Sequence, residues 1–219
     1  MPRSGGEGRR ATHHTSPVRR LARPTIVLLV AAALAAPLAS AQPRAGTWAT
    51  HRATGLRISA PATWLDMTRL TPEVLARARQ VPALASYVEA VQQSKAVKLL
   101  LADSGRLTLT SHFATNLNVT QVPTIGDLRL LHDAAVAQLR SSGLAVGPVH
   151  STYLSLPAGR AVELRYHARY GSTIPVLSHL QFVFVRDGRA TVVTYTTLPR
   201  LESKELPVFL RSIRSFRFG

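Results

Sequence analysis

The chain contains no cysteine, so it can form neither a disulfide framework nor a cysteine-ligated zinc or iron–sulfur site. Thiol catalysis is excluded for the same reason. A lipid anchor on a processed N-terminal cysteine is excluded as well. An exported form of this chain would therefore depend on its hydrophobic core for stability.

Acidic residues are also scarce. Only 11 Asp and Glu stand against 27 Lys and Arg in 219 residues, which gives a net charge of +16. The hydrophobic share of 46% is ordinary for a packed protein and excludes disorder throughout the chain. The length allows one domain or two small ones.

The N-terminal 41 residues have the pattern of a secretory signal peptide. They carry six arginines and one glutamate, a net charge of +5, which leaves +11 for the rest of the chain. An uncharged stretch from Thr25 to Leu38 precedes Ala39-Ser40-Ala41, which predicts cleavage before Gln42. The stretch is shorter than the roughly 20 residues that a membrane-spanning helix needs. An uncleaved N-terminal membrane anchor is the alternative.

The remaining chain predicts a flexible polar lead-in over residues 42–54 and a single domain over residues 55–219. Hydrophobic periodicity and turn signals predict strands over 56–60, 97–102, 107–113, 149–156, 160–170, 175–185 and 190–198. They predict helices over 71–80, 82–93, 125–140 and 202–212, with Thr124 as the cap of the third. The last four strands form an antiparallel meander. This order predicts an α+β fold, an antiparallel sheet flanked by helices.

Alternation along two of these strands predicts a polar face. Four apolar residues of the strand over 160–170 alternate with Glu163, Arg165, His167 and Arg169, and in the next strand His179 and Gln181 alternate with large apolar residues. The predicted ligand-binding residues, for an anionic or carbohydrate ligand, are Thr110, His112, Arg165, His167, Arg169, His179 and Gln181. A solvated outer face is the simpler interpretation, because antiparallel sheets commonly leave one face in water.

Several segments together resemble the PsbP-like family. They are a strand ending in Pro61-Ala62-Thr63-Trp64, a Gly159-Arg160-Ala161 strand, Gln181 before aromatics, a threonine-rich strand over 191–197, and a final Phe216-Arg217-Phe218. The chain is most similar in pattern to exported actinobacterial members of the LpqN type. The resemblance implies an α-β-α sandwich that acts as a non-enzymatic binding or scaffold module. Those relatives are lipoproteins, and their anchoring cysteine is missing here.

No hydrolase elbow, phosphate-binding loop or zinc-protease motif is present. His132 and Asp133 are neighbours on a predicted helix, where adjacent side chains point about 100° apart. We therefore expect no hydrogen bond between them of the kind that orients a catalytic base. His167, His179 and the distant Glu163 are too few ligands for a zinc site. The sequence predicts no enzyme activity, no metal and no cofactor.

The positive charge raises the question of partners. The export signal, the lack of a clustered basic run and the lack of a reader motif argue against nucleic acid. Arg211, Arg214 and Arg217 form a modest basic stripe, which solubility alone would explain. An exported cationic protein is expected to meet an anionic envelope polymer, a lipid head group or an envelope partner protein.

The predicted function is therefore an exported bacterial binding or scaffold module. A small secreted hydrolase or transferase using Arg165, His167 and His179 is the alternative from another class. An assembly factor with an uncleaved N-terminal helix is a third possibility.

Overall fold

The computed structural model describes residues 46–69, 93–103, 113–172 and 174–219. The predicted signal peptide, with Ala39, Ala41 and Gln42, lies outside these residues. The helices predicted over 71–80 and 82–93 and the strand predicted over 107–113 also lie outside them, apart from Gln93 and Phe113. The same holds for Thr110 and His112 of the predicted ligand-binding face.

The described strands are β1 (Trp48–Ala53), β2 (Leu56–Pro61), β3 (Trp64–Asp66), β4 (Val97–Asp103), β5 (Asn116–Pro123), β6 (Ala145–Leu156), β7 (Gly159–Ala168), β8 (Leu177–Arg186), β9 (Arg189–Thr197) and β10 (Arg217–Phe218). Seven of them form an antiparallel sheet in the order β3–β4–β5–β9–β8–β7–β6, and β1, β2 and β10 form a second antiparallel sheet. The predicted meander is confirmed as β6 to β9, each strand beside the next.

Strand β5 lies near the centre of the large sheet but was not predicted. Its first residues alternate Asn116, Leu117, Asn118 and Val119, and asparagine is a poor strand former. Leu117 and Val119 enter the core, while both asparagines are buried on the opposite face. Buried positions are usually apolar and asparagine is mostly found at the surface, so the two asparagines conceal this strand.

Residues 48–53, predicted to belong to a polar lead-in, instead form strand β1. All six residues pair with β2, and the indole of Trp48 packs under the Arg211 guanidinium at 4.2 Å. The segment contains Thr50, His51 and Arg52, so its apolar content is too low for a sequence-based strand assignment. The domain therefore begins before residue 55.

The described α-helices are α1 (Leu128–Ser141) and α2 (Glu202–Ser215). Helix α1 begins later than predicted because Asp127, and not Thr124, is its N-cap. The Asp127 carboxylate accepts a hydrogen bond from the Leu130 backbone N–H at 2.8 Å. Helix α2 continues three residues beyond its predicted end at residue 212.

The two helices pack on opposite faces of the large sheet. Phe209 and Ile213 of α2 pack with Phe182 of β8, and the small sheet joins the same core. Leu131 and Leu139 of α1 belong to a second core on the other face. The fold is α+β, with two antiparallel sheets and helices on both sides of the larger one. Within the described residues, no helix has the length and apolar character to cross a membrane.

Candidate functional site

The register between β7 and β8 divides the predicted ligand-binding face between two sides of the sheet. Directly paired residues of antiparallel strands project to the same side. His179 pairs with Tyr166, a member of the apolar set of β7, and Gln181 lies on the same side as His179. Arg165 and His167 alternate with that set and project to the opposite side. The prediction that these residues share one face is therefore wrong.

His179 lies inside the protein on the α1 side, with 3% of its surface exposed. Its Nδ1 is 3.2 Å from Thr196 Oγ1, and its Nε2 is 3.2 Å from the Tyr170 hydroxyl. Burial, with a smaller contribution from the charge of His167, lowers the pKa of His179 to about 3. The imidazole is therefore neutral at physiological pH, and one of its nitrogens donates while the other accepts.

Other polar groups surround this imidazole. The buried polar layer comprises Asn116, Asn118, His179, Gln181, Thr194 and Thr196, each less than a tenth exposed. Gln181 Nε2 donates to Thr194 Oγ1 at 3.2 Å. The Tyr166 ring stacks on His179 with ring centroids 4.9 Å apart, and burial raises the pKa of Tyr166 well above its usual range. These groups bond across strands inside the protein, so His179 and Gln181 do not face a ligand in solution.

On the opposite side, Glu202 at the start of α2 ties the helix to the sheet. Its Oε2 is 3.0 Å from His167 Nε2 and accepts a hydrogen bond from Ser178 Oγ at 2.8 Å. Burial alone would raise the pKa of Glu202, but these hydrogen bonds and the nearby positive charges outweigh burial and lower it. Arg165 Nε donates to Glu163 Oε1 at 2.5 Å. Arg165 and His167 therefore have partners within the fold.

Arg169 lies at the surface just beyond the last residue of β7, and its backbone N–H donates to the carbonyl of Leu144 at 2.9 Å. It does not join the other predicted residues. Across the described ranges, no three or more His, Asp and Glu side chains are grouped so as to hold a metal ion.

An open cleft of about 600 Å³ lies at one end of the large sheet. Its walls are the first turn of α1, the β6–β7 turn, the end of β8 and the C-terminal Phe218. In a meander, alternate turns lie at the same end of the sheet, so the β6–β7 and β8–β9 turns meet here. Arg129, Arg160 and Arg186 line this arginine cleft, together with Asp127.

Some charged side chains of the arginine cleft have a partner within the fold and others do not. Asp127 caps helix α1. Arg186 Nε is 3.1 Å from Asp187 Oδ2 in an exposed pair, and its guanidinium lies over the Phe218 ring at 5.4 Å. Arg129 and Arg160 form no ion pair with any described residue. Two guanidinium groups, each with five N–H donors, are therefore available at the mouth of the cleft.

The overall architecture is similar to solved structures. CyanoP, the cyanobacterial PsbP of Synechocystis, matches 83% of this chain and 99% of its own length with a TM-score of 0.51 and 13% sequence identity. The chain has a PsbP-like fold. At this identity the likeness shows the fold and not the function.

Two other structures match less well. A protein of unknown function from Pseudomonas aeruginosa matches 56% of this chain with a TM-score of 0.45 and 14% identity. A Bacteroides thetaiotaomicron protein matches 80% of this chain and 48% of its own, with a TM-score of 0.43 and 8% identity. The sequence matches no protein family and no curated protein.

Two of the residues that suggested the resemblance, Trp64 and Phe216, belong to the core of the protein. Trp64 is 4% exposed and meets Phe209 of α2 edge-on, with ring centroids 6.4 Å apart. Phe216 is fully buried and packs against Phe184 at 5.2 Å. Such residues specify packing, so they predict the fold and leave the ligand open.

The arginine cleft was not predicted, although a signal for it exists. Arg160 is the second residue of β7, close to the turn from β6, and Arg186 is the last residue of β8, next to the turn to β9. Assigning these two turns to the same end of the meander would have placed both arginines together. Placing Arg129 beside them requires the position of α1 on the sheet, which the sequence pattern does not give.

The prediction that His132 and Asp133 do not hydrogen-bond is also wrong. His132 Nδ1 lies 2.8 Å from Asp133 Oδ1, and His132 Nε2 lies 2.9 Å from Ser151 Oγ on β6. The angle between adjacent helical residues describes their Cα–Cβ directions. The imidazole and the carboxylate extend beyond Cβ, so His132 Nδ1 and Asp133 Oδ1 can meet at the helix surface.

Proposed function

We propose that this protein is an exported, non-enzymatic binding module whose arginine cleft holds an anionic group of the bacterial envelope. The ligand chemistry is a phosphate carried by an envelope polymer or by a lipid head group. The observation that carries the proposal is the placement of Arg129, Arg160 and Arg186 around one open cleft. The likeness in sequence pattern to exported LpqN-type proteins supports the same class of function.

The chemistry of the arginine cleft suits phosphate. Guanidinium groups bind phosphate and carboxylate through paired N–H donors, and such charge-assisted bonds are roughly twice as strong as neutral ones. Arg129 lies in the first turn of α1, where the helix dipole also favours negative charge. Three arginines against one capping aspartate leave the lining with a net positive charge.

Aromatic side chains give the cleft an apolar component. Tyr153 is 45% exposed and lines the cleft together with Phe218. Apolar side chains with a few convergent polar groups are typical of ligand sites. A ligand with a short carbon backbone beside its phosphate, such as a glycerol phosphate unit, would fit this mixed lining.

Two arginines of the basic stripe, Arg211 and Arg217, have contacts within the fold. Arg211 packs over Trp48, and Arg217 Nη1 donates to the carbonyls of Arg214 and Phe216. The hydrolase or transferase alternative needs Arg165, His167 and His179 in one site. Arg165 and His167 project to the opposite side of the sheet from His179. The arginine cleft is therefore the better-supported site.

Direct binding tests this proposal. The probes are a soluble poly(glycerol phosphate) and phosphatidylcholine vesicles with and without phosphatidylglycerol, so the two phosphate sources are distinguished. We expect the double variant R129Q/R160Q to bind at least about tenfold more weakly, a loss of about 1.4 kcal/mol. The control is R57Q/R140Q, which removes two exposed arginines outside the cleft.

Three outcomes would contradict the proposal. The first is equal affinity of the two double variants. The second is binding that does not weaken as salt is added, since contacts with an exposed polyanion are screened. The third is the failure of the wild-type protein to bind either the polymer or the anionic vesicles.

A further inference from the structure

Three histidines in the described part of the chain lie in hydrogen-bonded groups that include a hydroxyl, and the order of the groups differs. Ser178 donates directly to the Glu202 carboxylate, so the carboxylate lies between that serine and His167. His179 lies between Thr196 and Tyr170, with no carboxylate in the group. Neither arrangement lets a histidine supported by an acid withdraw a proton from a hydroxyl.

The Ser151–His132–Asp133 relay differs from both. The Asp133 carboxylate can only accept, so its 2.8 Å contact assigns the proton to His132 Nδ1. That tautomer leaves Nε2 as an acceptor, and Ser151 Oγ lies 2.9 Å from it. The hydroxyl therefore donates toward a base that is oriented by an acid, which is the order of groups that activates a serine.

The surroundings of the relay keep the serine accessible and the base in place. Ser151 is exposed on β6, which forms an edge of the large sheet as described. The His132 side chain is only 17% exposed, because the Tyr153 ring lies against it with ring centroids 5.2 Å apart. Asp133 is 62% exposed, so its electrostatic support is weakened by solvent.

We infer that Ser151 is a nucleophilic hydroxyl, activated by the Ser151–His132–Asp133 relay, that accepts an acyl group from an activated ester. Ser151 Oγ attacks the acyl carbon while its proton moves to His132 Nε2. The new bond joins Oγ to the acyl carbon, and the bond from that carbon to the leaving oxygen breaks. The leaving oxygen keeps the bonding electrons and takes the proton from the imidazolium. The products are acyl-Ser151 and an alcohol or phenol.

The inference concerns one acyl transfer to Ser151 and does not depend on a ligand in the arginine cleft. The test therefore uses p-nitrophenyl acetate, which is neutral, with the full chain. Release of p-nitrophenolate gives the rate, and peptide fragmentation by mass spectrometry locates the acetyl group. Ser155 is the matched internal control, because it is exposed, on the same strand and on the same side as Ser151.

We expect acetyl-Ser151 in the wild-type protein and no acetylation of Ser155. A general base contributes about 10²-fold or more where it acts, and the exposed relay should retain at least about a tenfold effect. H132Q should therefore slow acetylation of Ser151 at least tenfold. D133N, which keeps the shape of the side chain, should slow it less. Circular dichroism and the thermal midpoint of each variant check that it is folded.

Two results would overturn the inference. One is a folded wild-type protein in which Ser151 is acetylated no faster than Ser155. The other is an acetylation rate of Ser151 that is unchanged in folded H132Q and in folded D133N. S151A completes the series, because loss of the rapid p-nitrophenolate release in that variant assigns the release to Ser151.

Discussion

At the scale of single residues, position within the sheet decides what each polar side chain does. His179 and His167 are close in the strand pairing, yet one is buried and neutral while the other meets the carboxylate of Glu202 on the opposite face. The cause is the two-residue period of a strand, in which neighbouring positions project to opposite sides. The same type of residue thus stabilises the interior in one case and anchors a helix in the other.

The burial of His179 predicts a pH dependence of stability. Its pKa is about 3 in the folded protein and about 6.5 when unfolded. Between these values the unfolded chain binds the proton and the folded protein does not. The contribution of His179 to the free energy of unfolding is therefore fully present above pH 6.5 and falls as the pH decreases toward 3. The contribution from this group approaches about 1.4 kcal/mol per pH unit within that window.

The variant H179Q keeps a hydrogen-bonding side chain and removes the titrating group. Urea unfolding of the wild type and of H179Q at a series of pH values should give curves that differ in slope below pH 6.5, with the variant less dependent on pH. Equal slopes for the two proteins would mean that His179 is not buried as a neutral group.

At the scale of elements, the sequence predicts those whose pattern is regular. The meander and helix α2 follow from alternation and turn signals. Strand β5 does not, because Asn116 and Asn118 belong to a buried polar layer that only the assembled sheet creates. The register that separates Arg165 from His179 is likewise set by pairing and not by either strand alone.

The C-terminal segment after α2 is a second element whose role depends on packing. Phe216 is fully buried and contacts Phe184 and Phe218, with ring centroids 5.2 and 5.1 Å apart. We expect F216A to lower the free energy of unfolding by about 3–5 kcal/mol, as is usual when a buried phenylalanine is removed. Chemical denaturation measures the change.

The control for that measurement is I125A. Ile125 is a large apolar residue that is entirely exposed, so its removal should change stability by no more than about 0.5 kcal/mol. Similar losses for F216A and I125A would contradict the packing of the C-terminal segment.

At the scale of the whole molecule, the net charge and the fold both favour an anionic ligand. About +11 of the formal charge lies after residue 41, so an exported form of the domain would attract polyanions at long range. The PsbP-like fold brings α1 and two turns of the meander to one end of the large sheet, where three arginines line one cleft. The net charge supplies the attraction, and the arginine cleft supplies a place to bind.

The most direct test of the arginine cleft is to map where a ligand binds. Amide resonances of the isotopically labelled protein should be followed while poly(glycerol phosphate) oligomers are added. We predict that the residues of the cleft shift first and most, namely the amides of Arg129, Gly159, Arg160 and Arg186, while those of Thr50 on β1 stay in place. Shifts concentrated on β1 and α2, or no shifts at saturating ligand, would contradict the assignment of the cleft as the binding site.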